Sequence, residues 1–286
     1  AAAGDEPAFL AAALPGVPVV VGADRVAGVR YCGERWPGVK VVVADDGFQH
    51  LAVPRVFNVL LVDAMRPAEW RGGGGGCGCG IRIRIDKGDD ADDGARLIPA
   101  GPLREPRAAA GRADVVLVTR APLAGFAFGV AAGEVVRGVE ATYREFLRDE
   151  EVRVVSCPIE PRAVRMYERG ELRAVLAPGE ALRGERVVAM SGIAGPGSFV
   201  AELRRLGVSE VVGRFDFADH HWFGAEEVAE VSRAAARARA VVCVTEKDWV
   251  RLGAAERERM GRVAVVEVRA ELEEGVVEEC VRRVRE

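Results

Sequence analysis

The chain has 286 residues, close to half of them hydrophobic and under a third charged, which suffices for one large or two modest α/β domains with a buried core. Its net charge of −4 argues against non-specific nucleic-acid binding, and no apolar run reaches the roughly 18 residues of a membrane-spanning helix. Six cysteines, Cys32, Cys77, Cys79, Cys157, Cys243 and Cys280, are scattered without the spacing of a secreted scaffold, so a reducing compartment is the default.

In chain order, Ala8 to Leu14 is predicted to form a short helix, with Asp5 at or near its N-cap and Pro7 tolerated in the first turn. Val17 to Val21 reads as a strand, Asp24 to Trp36 as a helix and Val39 to Ala44 as a second strand. The three make a βαβ unit and hence a parallel sheet. Val41-Val42-Val43-Ala44 carries three β-branched residues, is expected to be buried on both faces, and runs directly into Asp45-Asp46-Gly47. Carboxylates delivered at the carboxyl end of such a strand are the arrangement that holds Mg²⁺ in nucleotide enzymes, although Asp-Asp-Gly is equally ordinary turn chemistry.

Phe57 to Asp63 is a further strand, so a doubly wound sheet is expected. Glu69 to Gly94 holds five consecutive glycines, a Cys-Gly-Cys-Gly run and an acidic tail; it cannot bury enough apolar surface to offset its chain entropy and reads as a disordered insertion. Beyond it, Asp114 to Thr119 is a strand and Gly133 to Asp149 a helix, followed by strands at Val152 to Cys157, Val164 to Tyr167 and Leu172 to Val175. A second α/β half starts at Arg186. It comprises a strand to Ser191, a Gly/Pro loop to Gly197, a helix from Ser198 to Leu206 and a strand from Val208 to Val212. The loop Asp219-His220-His221, a helix from Ala225 to Ala238, a strand from Ala240 to Val244 and Thr245-Glu246-Lys247-Asp248 follow. Two regions are expected: residues 1–150 as a nucleotide- and substrate-binding core, and 151–286 as a second lobe that contributes Asp219-His220.

Four motifs resemble one family. They are Gly4-Asp5-Glu6-Pro7, Asp45-Asp46-Gly47-Phe48-Gln49-His50, the run Leu97-Ile98-Pro99-Ala100-Gly101-Pro102-Leu103-Arg104-Glu105-Pro106, and Asp219-His220 together with Thr245-Glu246-Lys247-Asp248. In order and spacing the chain resembles the tetraacyldisaccharide 4′-kinases, which phosphorylate the 4′-hydroxyl of a lipid A precursor with ATP. The resemblance implies a P-loop-NTPase-like parallel sheet flanked by helices, with a second, smaller α/β lobe. It also implies ATP and Mg²⁺ as cofactors, a lipid A disaccharide precursor as substrate, and peripheral membrane contact. The expected location is the cytoplasmic face of the inner membrane in a bacterium, or an organelle in a eukaryote.

By the same resemblance Asp5 is the general base and His220 its dyad partner, Asp45 and Asp46 hold Mg²⁺, and Arg25, Arg104 and Glu105 serve ATP or the anionic substrate. The chemistry is consistent, because an alcohol is a poor nucleophile at neutral pH and a guanidinium binds phosphate bidentately. Simpler readings stand beside these: Arg25 on an exposed helix start, Arg104 paired only with Glu105, and His220 in a loop hydrogen bond. Thr245-Glu246-Lys247-Asp248 is left out of the catalytic set. The sequence departs from the family in lacking any Gly-x-x-x-x-Gly-Lys-Ser/Thr, the phosphate cradle that the family carries upstream of Gly-Asp-Glu-Pro. An N-terminally truncated fragment with little or no activity of its own is therefore expected. Two other classes remain open: a non-catalytic remnant that binds a lipid precursor or partner, and a metal-dependent phosphoesterase built on Asp219-His220-His221.

Overall fold

An apolar run becomes a strand only where a neighbour supplies the other half of the hydrogen-bond ladder, and this decides which predicted strands exist. In the computed structural model, which describes residues 4–66, 97–99 and 103–286, the chain divides into two compact units. The predicted insertion from Glu69 to Gly94 lies outside the described residues.

One unit comprises Val20–Ile159 and Ala270–Glu286. Its sheet is three parallel strands in the order β1 (Val59–Asp63), β2 (Val115–Thr119), β3 (Arg153–Cys157), with Leu61 level with Leu117 and Leu117 with Val155. Alternation along β2 sends Val116 and Val118 to a core completed by Val135, Val139 and Tyr143 of the helix Ala132–Tyr143, while Val115 and Leu117 meet Val276 of the C-terminal helix Glu274–Arg285. Both faces are covered, as a parallel sheet requires. The predicted helix from Gly133 to Asp149 stops at Tyr143 and continues only as a 3₁₀ turn, Arg144–Phe146. Farther on, Asp149 Oδ1 accepts the N–H groups of Glu151 and Val152, a turn that keeps the last predicted residues out of the helix.

Two expected strands do not form. Val17 to Val21 and Val39 to Ala44 are irregular, so the predicted βαβ unit is absent, although its helix is present as Arg25–Arg35 with Asp24 accepting the Ala27 N–H. Val41, Val42 and Val43, expected to be buried on both faces, are exposed, Val43 by 88%. The physical reason is the ladder: among the described residues no strand runs beside this segment, so β-branched side chains have neither a partner strand nor a covered face.

The other unit comprises Ala1–Val19 and Glu160–Arg269. Its mixed sheet runs β5 (Glu171–Leu176), β4 (Ile159–Glu168), β9 (Arg262–Ala270), β8 (Val241–Thr245), β6 (Arg186–Ser191), β7 (Glu210–Asp216). The pairs β9–β8, β8–β6 and β6–β7 are parallel, and β4 and β5 form an antiparallel hairpin. Alternation again sorts the faces. Val188, Met190, Val242, Val244, Val263 and Val265 pack with Val228 and Val231 of the helix Ala225–Ala238; Val187, Ala189, Val241, Cys243, Ala264 and Val266 pack with Phe199 and Leu203 of the helix Pro196–Arg205. The strand predicted from Val208 to Val212 sits farther along, at Glu210–Asp216, and carries the chain directly to Asp219. The carboxyl ends of β6, β7 and β8 therefore open onto Gly192, the Asp219-His220-His221 loop and Thr245, the side of an open α/β sheet where ligands bind.

Candidate active site

In the unit built on the mixed sheet, the short helix Glu246–Arg251, called α8 here, collects the site. It starts where strand β8 ends, with Thr245 Oγ1 accepting the Asp248 N–H at 3.1 Å and lying 2.7 Å from Asp248 Oδ2, the capping geometry of a Thr-x-x-Asp sequence. Asp248 is fully buried, and its Oδ1 accepts the Gly192 N–H at 3.0 Å from the loop that follows β6. Arg251, one turn later and also buried, donates to the Gly192 carbonyl at 2.7 Å and to Asp248 Oδ1 at 3.2 Å, and its second terminal nitrogen lies 3.5 Å from His220 Nδ1. Burial pushes the Asp248 carboxyl above its ordinary range, while the Thr245 hydroxyl, the Gly192 N–H and the Arg251 guanidinium pull it back.

His220 stands in the left-handed region, φ 62°, its N–H donating to Asp219 Oδ1 at 3.0 Å and to the Gly192 carbonyl at 3.3 Å. A bulky residue at positive φ persists only where its surroundings hold it. Gly192 eases that close approach, because a Cβ there would lie tightly, 3.2 Å from the Ala218 carbonyl and 3.3 Å from Asp248 Oδ1. Asp5 opens the helix Asp5–Ala13, whose Glu6 is ion-paired to Lys247 of α8 at 2.8 Å. The helix that begins with Asp5 thus packs on the helix whose Arg251 meets His220.

His221 does a different job. Its Nε2 lies 3.0 Å from both Glu227 oxygens, and its ring stacks on Phe217 with centroids 4.8 Å apart. Among the described residues no group of three or more His, Cys, Asp or Glu side chains is placed to hold a metal, and His221 is committed to Glu227, so the phosphoesterase reading gains no support. The Gly224 N–H, then His221, hold the Glu227 carboxyl below its ordinary range. A depressed carboxyl stabilises the fold above the ordinary carboxylate pKa, and that contribution disappears as pH falls through the depressed value. Glu227→Gln is therefore expected to cost about 1 kcal/mol or less at neutral pH, with the difference vanishing in acid; melting temperatures measured from pH 7 down to pH 3 check this.

In the unit built on the parallel sheet, Asp45 and Asp46 sit in a tight turn. Asp46 is left-handed, φ 49°, and a Cβ on Gly47 would lie 2.8 Å from the Ala44 Cβ, so the turn demands glycine there. Arg104 grips Asp46 through both carboxylate oxygens at 2.6 Å each, an interaction that raises the Arg104 pKa, and not Glu105 as the simplest sequence reading has it. Glu105 pairs instead with Arg112. Arg55 donates to the carbonyls of Gly47 and Phe48 at 2.5 and 3.0 Å, and Arg112 lies over the Phe48 ring at 4.8 Å. Arg25, the first residue of its helix, is half-buried and has no ionic partner among the described residues; the carboxylate of Asp45 has none either.

The structure thus brings together Asp46 and Arg104, and separately His220 with the helix that begins at Asp5. Sequence reading left Asp248, with its Thr245-Glu246-Lys247-Asp248 motif, out of the catalytic set, and it did not single out Arg55, Arg112, Gly192 or Arg251. Only the Thr245-x-x-Asp248 cap at the end of an apolar strand gave a local signal for any of them.

These features define an α/β protein with its polar cluster at the carboxyl edge of a largely parallel sheet. A family model described as Tetraacyldisaccharide-1-P 4′-kinase matches residues 1–71 and 85–285. The chain is 38% identical over 275 residues to the tetraacyldisaccharide 4′-kinase of Anaeromyxobacter sp. strain Fw109-5, covering 96% of this chain and 62% of that protein. It is 36% identical over 260 residues to the one of Geobacter metallireducens, covering 88% and 61%. Its fold is similar, with a TM-score of 0.53 and 23% identity, to a crystal structure of LpxK from Aquifex aeolicus in complex with ATP, over 98% of this chain and 69% of that one. The chain belongs to the tetraacyldisaccharide-1-P 4′-kinase family, and it spans about 62% of the length of the curated relatives it matches.

Proposed function

We propose that this chain supplies the base-bearing part of an ATP-dependent kinase that phosphorylates the 4′-hydroxyl of a tetraacyldisaccharide 1-phosphate in lipid A assembly, on a P-loop-NTPase-like scaffold. One observation carries the reading: α8 ties the helix that starts at Asp5 to the arginine that touches His220. Asp5 takes the proton of the sugar hydroxyl as it attacks, and His220 orients that carboxylate; a base of this kind is what an alcohol nucleophile needs near neutral pH. Arg25, half-buried and unpaired among the described residues, and Arg104 offer guanidinium forks for the phosphates of ATP or of the 1-phosphorylated substrate, with Glu105 setting the neighbouring Arg112. The nucleotide supports a cytosolic location, and a substrate with four acyl chains supports peripheral contact with the bacterial inner membrane.

The turn at Asp45 and Asp46 suits Mg²⁺ by its chemistry, since both donors are hard carboxylate oxygens at an exposed site, with Asp46 braced by Arg104 and Asp45 unpaired among the described residues. When bound, Mg²⁺ neutralises charge on the transferring phosphate. Asp45 would hold the ion, directly or through water, and Asp46 fixes the turn through Arg104. The Asp46–Arg104 pair is more than half exposed on both sides, so it contributes little to stability and its value lies in placement. In a protein that joins residues 1–286 to the remaining portion of a relative, Asp45→Asn is expected to raise the Mg²⁺ concentration for half-maximal rate, and Asp46→Asn to raise it less. Equal Mg²⁺ dependence in both variants, indistinguishable from the parent, returns the pair to an acidic turn. The reaction itself is tested by locating the new phosphate on the disaccharide by NMR; a phosphate anywhere but O4′ refutes the assignment.

A further inference from the structure

We propose that Asp248 and Arg251 are positioning residues for His220, a buried ion pair that fixes the ring with Nδ1 as acceptor and Nε2 as donor. This rests on the reading of His220 as partner of the base. Thr245-Glu246-Lys247-Asp248 looks like a helix cap, and Arg251 like one more arginine on a helix with a charged face. Yet the two side chains are 0% and 1% exposed, in a chain whose other arginine–carboxylate pairs, among the described residues, are at least partly open to solvent.

The chemistry of the donors determines the tautomer. A guanidinium has only N–H donors and stays protonated, so the nitrogen it faces, His220 Nδ1, must present its lone pair. The proton then resides on Nε2. That is the state in which the ring can donate a hydrogen bond to a carboxylate, as the orienting partner of a base must. Arg251 also fixes where the ring is: the Gly192 carbonyl that receives its other terminal nitrogen at 2.7 Å is the same carbonyl that receives the His220 N–H at 3.3 Å. Asp248 closes the arrangement by holding both the Gly192 N–H and Arg251 itself. The buried pair therefore acts on the orientation and tautomer of the His220 ring, alongside Asp219, whose Oδ1 accepts the His220 N–H and whose Oδ2 lies 3.7 Å from Nε2. Supporting groups that orient a functional histidine are typically worth about 10- to 100-fold in activity.

The test uses ¹⁵N-histidine NMR on residues 1–286, where three histidines make assignment direct. Two variants are compared with the parent: Arg251→Lys, and the neutral double variant Asp248→Asn with Arg251→Gln, which leaves no unpaired buried charge should the single variant fail to fold. Glu227→Gln serves as a control that perturbs His221 alone. In the parent, His220 Nδ1 is expected to resonate as an unprotonated ring nitrogen and Nε2 as a protonated one. In the double variant, whose amide can accept as well as donate, the two signals move toward each other as the second tautomer becomes populated; the shorter lysine side chain, able only to donate, moves them less. In the joined kinase the same variants are expected to lower kcat by about 10- to 100-fold with KM for ATP near the parent value. Unchanged His220 ring shifts in the folded variants overturn the proposal, whatever the activity does. Shifted rings in a kinase whose turnover survives His220→Ala uphold the positioning role and refute only the catalytic reading on which its purpose rests.

Discussion

His220→Ala and Asp5→Ala, each made in a protein that joins this chain to the remaining portion of a family member, are expected to lower kcat by about 10²- to 10⁴-fold. The KM for ATP should stay close to that of the parent, because a general base acts on the proton that moves in the transition state and contributes little to nucleotide binding. The double variant should fall only slightly below either single one, since two groups that act as a unit lose their joint effect when either is removed. Steady-state kinetics on the three variants decide the matter. Additive losses would mean that Asp5 and His220 work independently, and near-normal turnover in both single variants would remove them from the chemistry.

The largest expected effect on stability belongs to Arg251. Replacing it with Leu leaves the Asp248 carboxylate buried beside Thr245 and Gly192 without its counter-charge, and breaking a buried pair in this way typically costs about 3–5 kcal/mol. Asp248→Asn with Arg251→Gln should cost much less, because neutral amides can keep part of the hydrogen bonding without a stranded charge. Urea titrations of the three proteins measure this directly. A single variant as stable as the double one would show that the ion pair is dispensable to the fold. The contrast also matters for function: the double variant separates loss of His220 positioning from loss of structure.

Much of the sheet architecture was legible because its strands are buried on both faces. Val115 to Thr119, Arg186 to Ser191 and Val241 to Val244 are apolar runs flanked by polar or glycine residues, and each is a strand in the structure. Val39 to Ala44 has the same composition and failed, because composition reports what a segment prefers when a neighbouring ladder exists and cannot supply the neighbour. The turn at Asp45-Asp46-Gly47 was readable locally, since its glycine and left-handed aspartate belong to turn chemistry. Its partner Arg104 was not: the two lie 58 positions apart, and nothing in the spacing distinguishes Arg104 pairing with Asp46 from Arg104 pairing with its sequence neighbour Glu105. The same limit hid Arg251. Three residues past Asp248 it suggests an i, i+3 surface pair, and only the packing of α8 beneath the Gly192 loop turns it into a buried contact to His220.

The proposed division of labour gives residues 1–286 the base and the acidic turn, while a phosphate cradle of the Gly-x-x-x-x-Gly-Lys-Ser/Thr kind has no counterpart in this sequence. Phosphoryl transfer depends on positioning the β- and γ-phosphates, so a base without a cradle has little to act on. The most direct measurement sets residues 1–286 beside the same residues joined to the cradle-bearing portion of a relative, each given ATP, Mg²⁺ and tetraacyldisaccharide 1-phosphate. The joined protein is expected to place one phosphate on O4′ with ordinary kinase turnover, about 1–100 s⁻¹, and residues 1–286 alone to stay near background. Ordinary turnover by residues 1–286 alone, or a joined protein that folds and binds ATP yet leaves the 4′-hydroxyl untouched, would contradict the account.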